Sequence, residues 1–290
     1  MTKAASFIQL LRPTQWIKNI FVFAAAIFAN QMFHPVVLGR TILAFIAFSL
    51  TSSIIYILND WNDRENDRYH PEKKHRPLAS GLVRPAEAVW IGLFLLICVV
   101  FINLVLGGSL WIVLLVYAFM NLGYTLYFKH VVILDIIIVS VGFILRAVAG
   151  GVVISVVISK WLLLCTFFLA LFLILNKRRA EFVILGSEAK AHRHILADYS
   201  LTLLDQIIAI VAGLTIIAYS LYTMSPMTIE KFHTENLVYT VPFVVFGLFR
   251  YLYLVNKKQL GGRPEKIVLT DRSIQACILL WVVCAIWVIY

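Results

Sequence analysis

The chain predicts an all-α polytopic membrane protein with about nine transmembrane helices. Of its 290 residues, 61% are hydrophobic and only 14% are charged, whereas soluble domains are nearer half apolar and one quarter charged. The apolar residues also fall into runs of about 20, the length that a helix needs to cross the hydrocarbon core of a bilayer. We therefore expect one helical membrane domain over residues 1–290.

The predicted helices follow the apolar runs in chain order. They cover residues 17–33, 37–58, 87–107, 109–128, 132–154, 160–176, 203–223, 237–255 and 273–290. Several runs contain a Gly, Pro or polar residue, which membrane helices tolerate because neighbouring helices satisfy the freed backbone groups.

The net charge of +10 is concentrated in alternate connections between these helices. Most of the 25 Lys and Arg residues lie in the N-terminal arm, at Lys129 and in the segments 59–86, 177–200 and 250–272. Because an excess of Lys and Arg marks the cytoplasmic side, we expect the N-terminus and these basic loops in the cytoplasm. Part of the excess meets anionic lipid headgroups. We expect the lipid bilayer, and no nucleic acid, as the large-scale partner.

Three aspartates lie at the end of the second predicted helix. Asp60, Asp63 and Asp67 have the spacing i, i+3 and i+7, which places them on one face of a helix. Three like charges at a membrane surface need a compensating cation. Mg²⁺ favours a few carboxylates together with phosphate oxygens and water, so the spacing predicts a Mg²⁺ site for a phosphate-rich substrate. The alternative is a solvated charge run in a loop.

The loop after Asp67 is rich in cations and prolines. It contains Arg68, Lys73 and Arg76, and its two prolines stiffen a path that returns these cations over the aspartates. Carboxylates beside arginines and lysines suit a Mg²⁺–diphosphate, because metal and cations together neutralise the phosphate charge. Surface salt bridges and headgroup contacts are the alternative interpretation.

The motif Asn59-Asp60-x-x-Asp63-x-x-x-Asp67, followed by His70-Pro71-x-Lys73-x-x-Arg76-Pro77-Leu78-Ala79-Ser80-Gly81, resembles the UbiA superfamily of intramembrane prenyltransferases. Tyr124 and Lys129 resemble a Tyr and a Lys that the superfamily has in its next cytoplasmic loop. Other segments resemble the decaprenyl-phosphate phosphoribosyltransferase branch: 11–19 (LRPTQWIKN), 134–135 with 142–151, 176–181 (NKRRAE), 263–265 and 271–272. That resemblance implies transfer of 5-phosphoribosyl from phosphoribosyl pyrophosphate to a polyprenyl phosphate of the decaprenyl type, with Mg²⁺ and release of pyrophosphate.

One departure from the wider superfamily is informative. Ordinary members have a second aspartate-rich motif in the loop after the sixth helix, whereas here that loop begins Lys177-Arg178-Arg179 and offers Glu181. Lys and Arg bind phosphates directly, so the change favours a substrate set with more phosphate groups. A membrane anchor at a helix end is the alternative for these three cations.

Arg146 lies inside the fifth predicted helix, about 16 Å along the axis from Asp135. A buried arginine must face a cavity or a carboxylate, so we expect Arg146 in the wall of a central cavity that is open to the cytoplasm, near a substrate phosphate. A structural pairing with another polar group is the alternative.

These arguments give a set of expected site residues and a reaction. Asp60, Asp63 and Asp67 hold the metal and act with Asp135 in catalysis. The expected substrate contacts are Lys18, Asn59, Arg68, Lys73, Arg76, Tyr124, Lys129, Arg146, Lys177, Arg178, Arg179 and Glu181. The lipid phosphate attacks the anomeric carbon of ribose, and a carboxylate such as Asp135 or Glu181 stabilises the oxocarbenium-like transition state.

Two other functions remain open at this point. An aromatic prenyltransferase would use the same aspartates for a prenyl diphosphate, although the missing second aspartate motif counts against it. A transporter would spread charges along a path through the membrane, whereas here the charges gather at one rim. The sequence leaves a homo-oligomer open.

Overall fold

The computed structural model describes residues 3–69, 73–185, 198–258 and 264–289, and every regular element in these ranges is helical. The α-helices are α1 Lys3–Leu11, α2 Ala24–Phe28, α3 Pro35–Asn62, α4 Arg64–Tyr69, α5 Pro85–Val105, α6 Trp111–Leu126, α7 Leu134–Val153, α8 Lys160–Leu185, α9 Leu201–Met224, α10 Pro226–Phe232, α11 Val241–Lys258, α12 Pro264–Thr270 and α13 Arg272–Ile289. Short 3₁₀ helices cover Pro13–Phe23, Lys73–His75, Phe128–His130 and Asn236–Thr240. The all-α prediction is confirmed.

The chain divides into two compact units. The first comprises Met1–Lys129 and Gly142–Ile158, and the second comprises His130–Val141 and Ser159–Tyr290. Helix α7 therefore contributes its first two turns to the second unit and the rest to the first. A single domain over residues 1–290 stays a prediction.

Seven described helical segments are long and apolar enough to cross a membrane. They are α3, α5, α7, α8, α9, α11 with the 3₁₀ turn before it, and α13. Helix α6 stands at the fourth predicted position and is apolar but shorter. At the first position, the expected helix 17–33 is instead a 3₁₀ helix followed by α2. The count of nine spans and the central cavity stay predictions.

The 3₁₀ segment Pro13–Phe23 is 11 residues long, whereas 3₁₀ runs beyond about four residues are uncommon. Side chains on α3 hold it in place. The Asn19 amide donates to Ser49 Oγ at 3.0 Å, and the Trp16 indole donates to Ser53 Oγ at 3.0 Å. These bonds inside an apolar unit offset the poorer backbone geometry of a 3₁₀ helix.

The first unit has two buried apolar clusters and also an exposed apolar face on α5. Phe48, Leu110 and Ala149 lie at the centre of one cluster, and Leu10 and Leu78 belong to a second. Helix α5 carries exposed large side chains at intervals of four and three residues, which form one stripe of the helix: Trp90, Phe94, Ile97, Phe101 and Leu104. Such a stripe suits a helix whose outer face meets lipid chains.

The second unit is centred on α8, α9 and α11. Phe172 and Leu175 of α8, Leu204 of α9 and Leu254 of α11 are almost completely buried in one cluster. The Phe172 and Tyr251 rings lie 5.4 Å apart. Because lipid is as apolar as these side chains, close packing rather than burial from water holds the helices together.

The structure differs from the predictions at the ends of two helices. The sixth helix continues from 176 to Leu185, so Lys177, Arg178, Arg179 and Glu181 lie on α8 and not in a loop. The physical reason is that these are good helix formers, and Arg178 pairs with Glu181 one turn later at 2.7 Å. Conversely, the helix that carries the aspartates is interrupted at Asp63, where α3 ends and α4 begins.

Candidate active site

Asp60 lies at the end of α3 and is only 3% exposed. The C-terminal end of a helix carries a partial negative charge, which disfavours a buried carboxylate at this position. Two arginines compensate it. Arg12 donates from Nη2 to Asp60 Oδ1, and Arg76 donates from Nη1 to the same oxygen at 3.1 Å. The Arg12 guanidinium also lies over the Tyr56 ring, 5.0 Å from its centroid, one helical turn before Asp60.

Asp67, on α4, is also buried, and it shares a partner with Asp60. Arg76 Nη1 donates to Asp67 Oδ2 at 2.6 Å, so carboxylate oxygens of Asp60 and Asp67 converge on one nitrogen atom. Arg76 follows the 3₁₀ turn Lys73–His75 in the loop. The prediction that this loop returns a cation to the aspartates is therefore confirmed for Arg76.

Asp63 has a different set of contacts. At the break between α3 and α4, its Oδ1 lies 3.3 Å from Lys129 Nζ and accepts from the Asn62 amide at 3.0 Å. Next to it, Thr125 of α6 donates to Asn59 Oδ1 at 2.6 Å. The predicted residues Asn59, Asp63 and Lys129 thus lie together where α3 meets the end of α6.

The helix that carries the aspartates is interrupted at Asp63, although the Asp63 and Asp67 N–H groups still donate to the carbonyl oxygens four residues earlier. That the three aspartates share one helix face stays a prediction. Among the described residues, no group of three or more His, Cys, Asp or Glu side chains is arranged to hold a metal. Asp60 and Asp67 nevertheless converge, and Mg²⁺ is usually held by one or two carboxylates plus phosphate oxygens and water. The pair therefore fits a Mg²⁺ ion that arrives with phosphate ligands.

The other predicted site residues of the first unit have no described contact with the three aspartates. Arg68 pairs with exposed Glu65 at 2.7 Å, and its Nε donates to the Ala79 carbonyl at 3.4 Å. Lys18, Lys73 and Tyr124 are each half-buried. They lie on the 3₁₀ segment, on the turn 73–75 and on α6. His70 and Pro71 of the predicted motif lie outside the described residues.

Arg146 is buried and held by neutral groups. Its Nε donates to Asn19 Oδ1 at 2.7 Å, Nη1 to the Gly142 carbonyl at 2.6 Å and Nη2 to Tyr117 Oη at 3.1 Å. Three rings lie 5.1 Å from its guanidinium carbon, those of Phe48, Tyr117 and Phe143. No carboxylate is among the partners that the structure describes for Arg146. These contacts favour the structural alternative, and contact with a substrate phosphate stays a prediction.

In the second unit, Asp135 forms a buried network. Asp135 is 0% exposed. Arg178 Nη2 donates to its Oδ2 at 2.6 Å, and Tyr199 donates from its hydroxyl to Oδ1 at 3.0 Å. The Tyr199 oxygen accepts from the Ile133 backbone N–H at 2.7 Å. Burial, together with the adjacent carboxylate, raises the pKa of Tyr199 to about 12.

The remaining predicted cations of α8 flank this network. Arg179 pairs through Nε with Asp205 of α9 at 2.5 Å, and Asp205 is half exposed. Lys177 precedes Arg178 on the same helix. Farther along the chain, Arg250 forms two bonds with the Asp271 carboxylate at 3.2 and 2.8 Å, and Arg263 lies outside the described residues.

Two residues of these networks are absent from the expected site. Arg12 belongs to the N-terminal motif, but its pairing with Asp60 bridges 48 residues of sequence. Tyr199 reaches Asp135 across 64 residues. The motif containing Arg12 was a usable signal, whereas nothing in the sequence around Tyr199 sets it apart from other tyrosines.

Comparison with known proteins decides the family. Residues 19–270 match the model of the UbiA prenyltransferase family. The chain belongs to this family. Among the curated relatives of this UbiA-family protein, decaprenyl-phosphate phosphoribosyltransferase of Mycolicibacterium smegmatis is 34% identical over 96% of this chain and 90% of the relative. Its namesake in Corynebacterium glutamicum is 32% identical over 99% of this chain and 87% of the relative.

Solved structures agree on the fold. A UbiA homolog from Archaeoglobus fulgidus bound to GPP and Mg²⁺ superimposes with a TM-score of 0.74, covering 98% of this chain and 99% of that chain at 16% identity. A digeranylgeranylglyceryl phosphate synthase gives a TM-score of 0.65 at 19% identity over 97% of each chain. At these identities the likeness shows the fold alone. Since seven helical segments in the described ranges are suited to crossing a bilayer, the UbiA-family protein is an integral membrane protein.

Proposed function

We propose that this protein transfers 5-phosphoribosyl from phosphoribosyl pyrophosphate to a polyprenyl phosphate of the decaprenyl type, using Mg²⁺ and releasing pyrophosphate. The observation that carries the proposal is the 32–34% identity, over nearly the whole chain, to relatives named decaprenyl-phosphate phosphoribosyltransferase. The Asp60–Asp67 pair with its two arginines supports it, because a diphosphate needs both carboxylate-held metal and direct cations.

Asp60 and Asp67 would hold the metal, and Asp63 and Asn59 lie on the adjacent turn. When bound, Mg²⁺ neutralises charge on the diphosphate and makes it a better leaving group. Arg76 and Lys129 would bind phosphate oxygens of the donor. These residues fix the donor with its leaving group toward the aspartates, so their contribution is mainly positioning and electrostatic.

The reaction exchanges one bond to the anomeric carbon for another. The bond between ribose C1 and the diphosphate oxygen breaks, and pyrophosphate leaves with the electron pair. An oxygen of the lipid phosphate forms the new bond to C1. Because the second pKa of a phosphate monoester is about 6, this oxygen is already largely ionised near neutral pH. No general base is therefore required from the chain.

The predicted residues of the second unit have unequal roles in this proposal. Asp135 and Arg178 are buried and bonded to each other, which favours support of α8 over direct contact with substrate. Lys177, Arg179 and Glu181 remain proposed phosphate or ribose contacts. The excess of Lys and Arg in the segments that carry the proposed site supports a cytoplasmic position for the N-terminus and the active site, the side on which soluble sugar phosphates are available.

A transfer assay tests the proposal. Purified protein in detergent receives Mg²⁺, labelled phosphoribosyl pyrophosphate and decaprenyl phosphate, and label is followed into the lipid phase. We expect transfer only when all three are present, and a loss of about 100-fold or more in Asp60→Asn, because a carboxylate that would hold the metal on the leaving diphosphate is removed. The matched control is Glu65→Gln, since Glu65 is exposed and pairs with Arg64 and Arg68.

Two results would contradict the proposal. Transfer that persists in Asp60→Asn would remove the aspartates from the reaction. Prenylation of an aromatic acceptor from a prenyl diphosphate, with no phosphoribosyl transfer in the same preparation, would assign the protein to the aromatic prenyltransferases.

A further inference from the structure

The arginines at the aspartate pair are more accessible than the carboxylates they contact. The side chains of Arg12 and Arg76 are 25% and 28% exposed, whereas those of Asp60 and Asp67 are 3% and 5% exposed. A phosphate that approaches from water therefore meets the guanidinium groups first. A metal ion that approaches alone meets the same two cations before it can reach a carboxylate oxygen.

Each of the three aspartates already contacts a cation without any ligand. Asp60, Asp63 and Asp67 each contact a cationic side chain, from Arg12, Arg76 and Lys129. Adding a divalent cation alone would place like charges side by side, which costs free energy in a poorly solvated site. Adding a metal together with a diphosphate avoids this cost, because the arginines gain phosphate oxygens as they give up carboxylate oxygens.

Two features of Arg12 suit an exchange of carboxylate oxygens for phosphate oxygens. Its backbone lies in the left-handed region, with φ of 51°, a conformation that is strained for a non-glycine residue and is concentrated at functional sites. Its guanidinium lies over the Tyr56 ring. A planar guanidinium on an aromatic ring keeps its edge N–H groups available for an oxyanion.

We propose that Arg12 is a donor-binding residue that, with Arg76, passes from the aspartates to the diphosphate of the donor, so that metal and donor bind together and the metal alone binds weakly. The two arginines are thus exchangeable counter-ions of Asp60 and Asp67. This inference rests on the proposed function only for the identity of the donor. The exchange itself requires a diphosphate and a divalent metal.

Mn²⁺ binding tests the exchange without any measurement of activity. Free Mn²⁺ is followed by its electron paramagnetic resonance signal as it is titrated into purified protein in detergent, alone and with phosphoribosyl pyrophosphate. We expect the donor to tighten Mn²⁺ binding about 10-fold or more, within the usual range of coupling between two sites. Donor binding without metal to the same protein should be correspondingly weak, because coupling is reciprocal.

The Arg12→Gln variant separates this mechanism from ordinary metal chelation by the donor. With one counter-ion removed, Mn²⁺ alone should bind several-fold tighter than in the wild type, and the further tightening by donor should shrink. Arg64→Gln is the matched control: it removes the same charge nearby, but Arg64 pairs with exposed Glu65. In this control both Mn²⁺ affinities should match the wild type.

The outcomes separate the two proposals. If inorganic pyrophosphate or a prenyl diphosphate tightens Mn²⁺ binding and phosphoribosyl pyrophosphate does not, the exchange stands and the proposed donor is wrong. If Mn²⁺ alone binds the wild type as tightly as it does with every diphosphate, the exchange is wrong, and this comparison needs no variant. An Arg12→Gln protein that folds and binds Mn²⁺ alone no more tightly than Arg64→Gln also overturns it.

Discussion

At the scale of single residues, Asp135 and Asp205 give a direct comparison of a buried and an exposed ion pair, because they contact consecutive arginines of α8. Asp135 is fully buried against Arg178, whereas Asp205 is about half exposed beside Arg179. Removing one partner of a buried pair leaves an uncompensated charge in the interior, while exposed pairs are screened by water. The two aspartates should therefore differ greatly in their contribution to stability.

We predict that Asp135→Asn lowers the free energy of unfolding by about 3 kcal/mol or more, and that Asp205→Asn lowers it by less than about 1 kcal/mol. Chemical unfolding of both variants in the same detergent measures the difference. Equal losses would mean that Arg178 finds enough compensation elsewhere, for example from Glu181, and that the Asp135 network is not a structural centre of the second unit.

Some of the contacts between single residues could be predicted from the sequence, and others could not. The spacing of Asp60, Asp63 and Asp67 predicted an acidic cluster, and the loop after Asp67 predicted that its cations, Arg76 among them, return over these carboxylates. The partners Arg12 and Tyr199 lie 48 and 64 residues away from the carboxylates they contact. Helical periodicity relates residues within a few turns, so it carries no information about such pairs.

At the scale of elements, the contact between the 3₁₀ segment Pro13–Phe23 and α7 depends on a glycine. A Cβ atom at Gly150 would lie 1.9 Å from the Val22 carbonyl oxygen, which is far inside the contact distance of carbon and oxygen. The backbone of the 3₁₀ segment therefore approaches α7 as closely as only glycine permits. That contact holds the 3₁₀ segment in place, and this segment begins directly after Arg12.

We predict that Gly150→Ala lowers the free energy of unfolding by about 1–3 kcal/mol, the usual cost of overpacking. Gly213→Ala, inside α9 with no atom within 4 Å of the added Cβ, should be neutral or slightly stabilising, because alanine is the better helix former. Thermal unfolding of the two variants gives the comparison. An unaltered Gly150→Ala protein would show that the 3₁₀ segment can move away from α7 at little cost.

Helices could be predicted where the length of an apolar run determines them, and their ends were less predictable. Seven of the nine predicted spans coincide with α3, α5, α6, α7, α9, α11 and α13 to within four residues at each end. The extension of α8 through Lys177–Glu181 could not be read from hydropathy, because charged residues end an apolar run without ending a helix. The 3₁₀ form of Pro13–Phe23 depends on bonds to α3 that the local sequence does not encode.

At the scale of the whole molecule, composition and function are linked through the bilayer. The acceptor's isoprenoid tail is apolar and stays among lipid chains, whereas the donor is a highly charged sugar phosphate in water. A protein that joins them needs apolar outer faces, such as the stripe on α5, and a cationic rim. The positive charge of +10 and its concentration in alternate connections meet the second requirement.

The most direct test of the account is the identity of the lipid product. Wild-type protein in detergent is given decaprenyl phosphate, Mg²⁺ and both phosphoribosyl pyrophosphate and a prenyl diphosphate, and the lipid fraction is analysed by mass spectrometry. We expect decaprenyl phosphate enlarged by one phosphoribosyl group, with one pyrophosphate released for each product. A lipid fraction with no such product from folded protein, while the prenyl diphosphate is consumed, would contradict it.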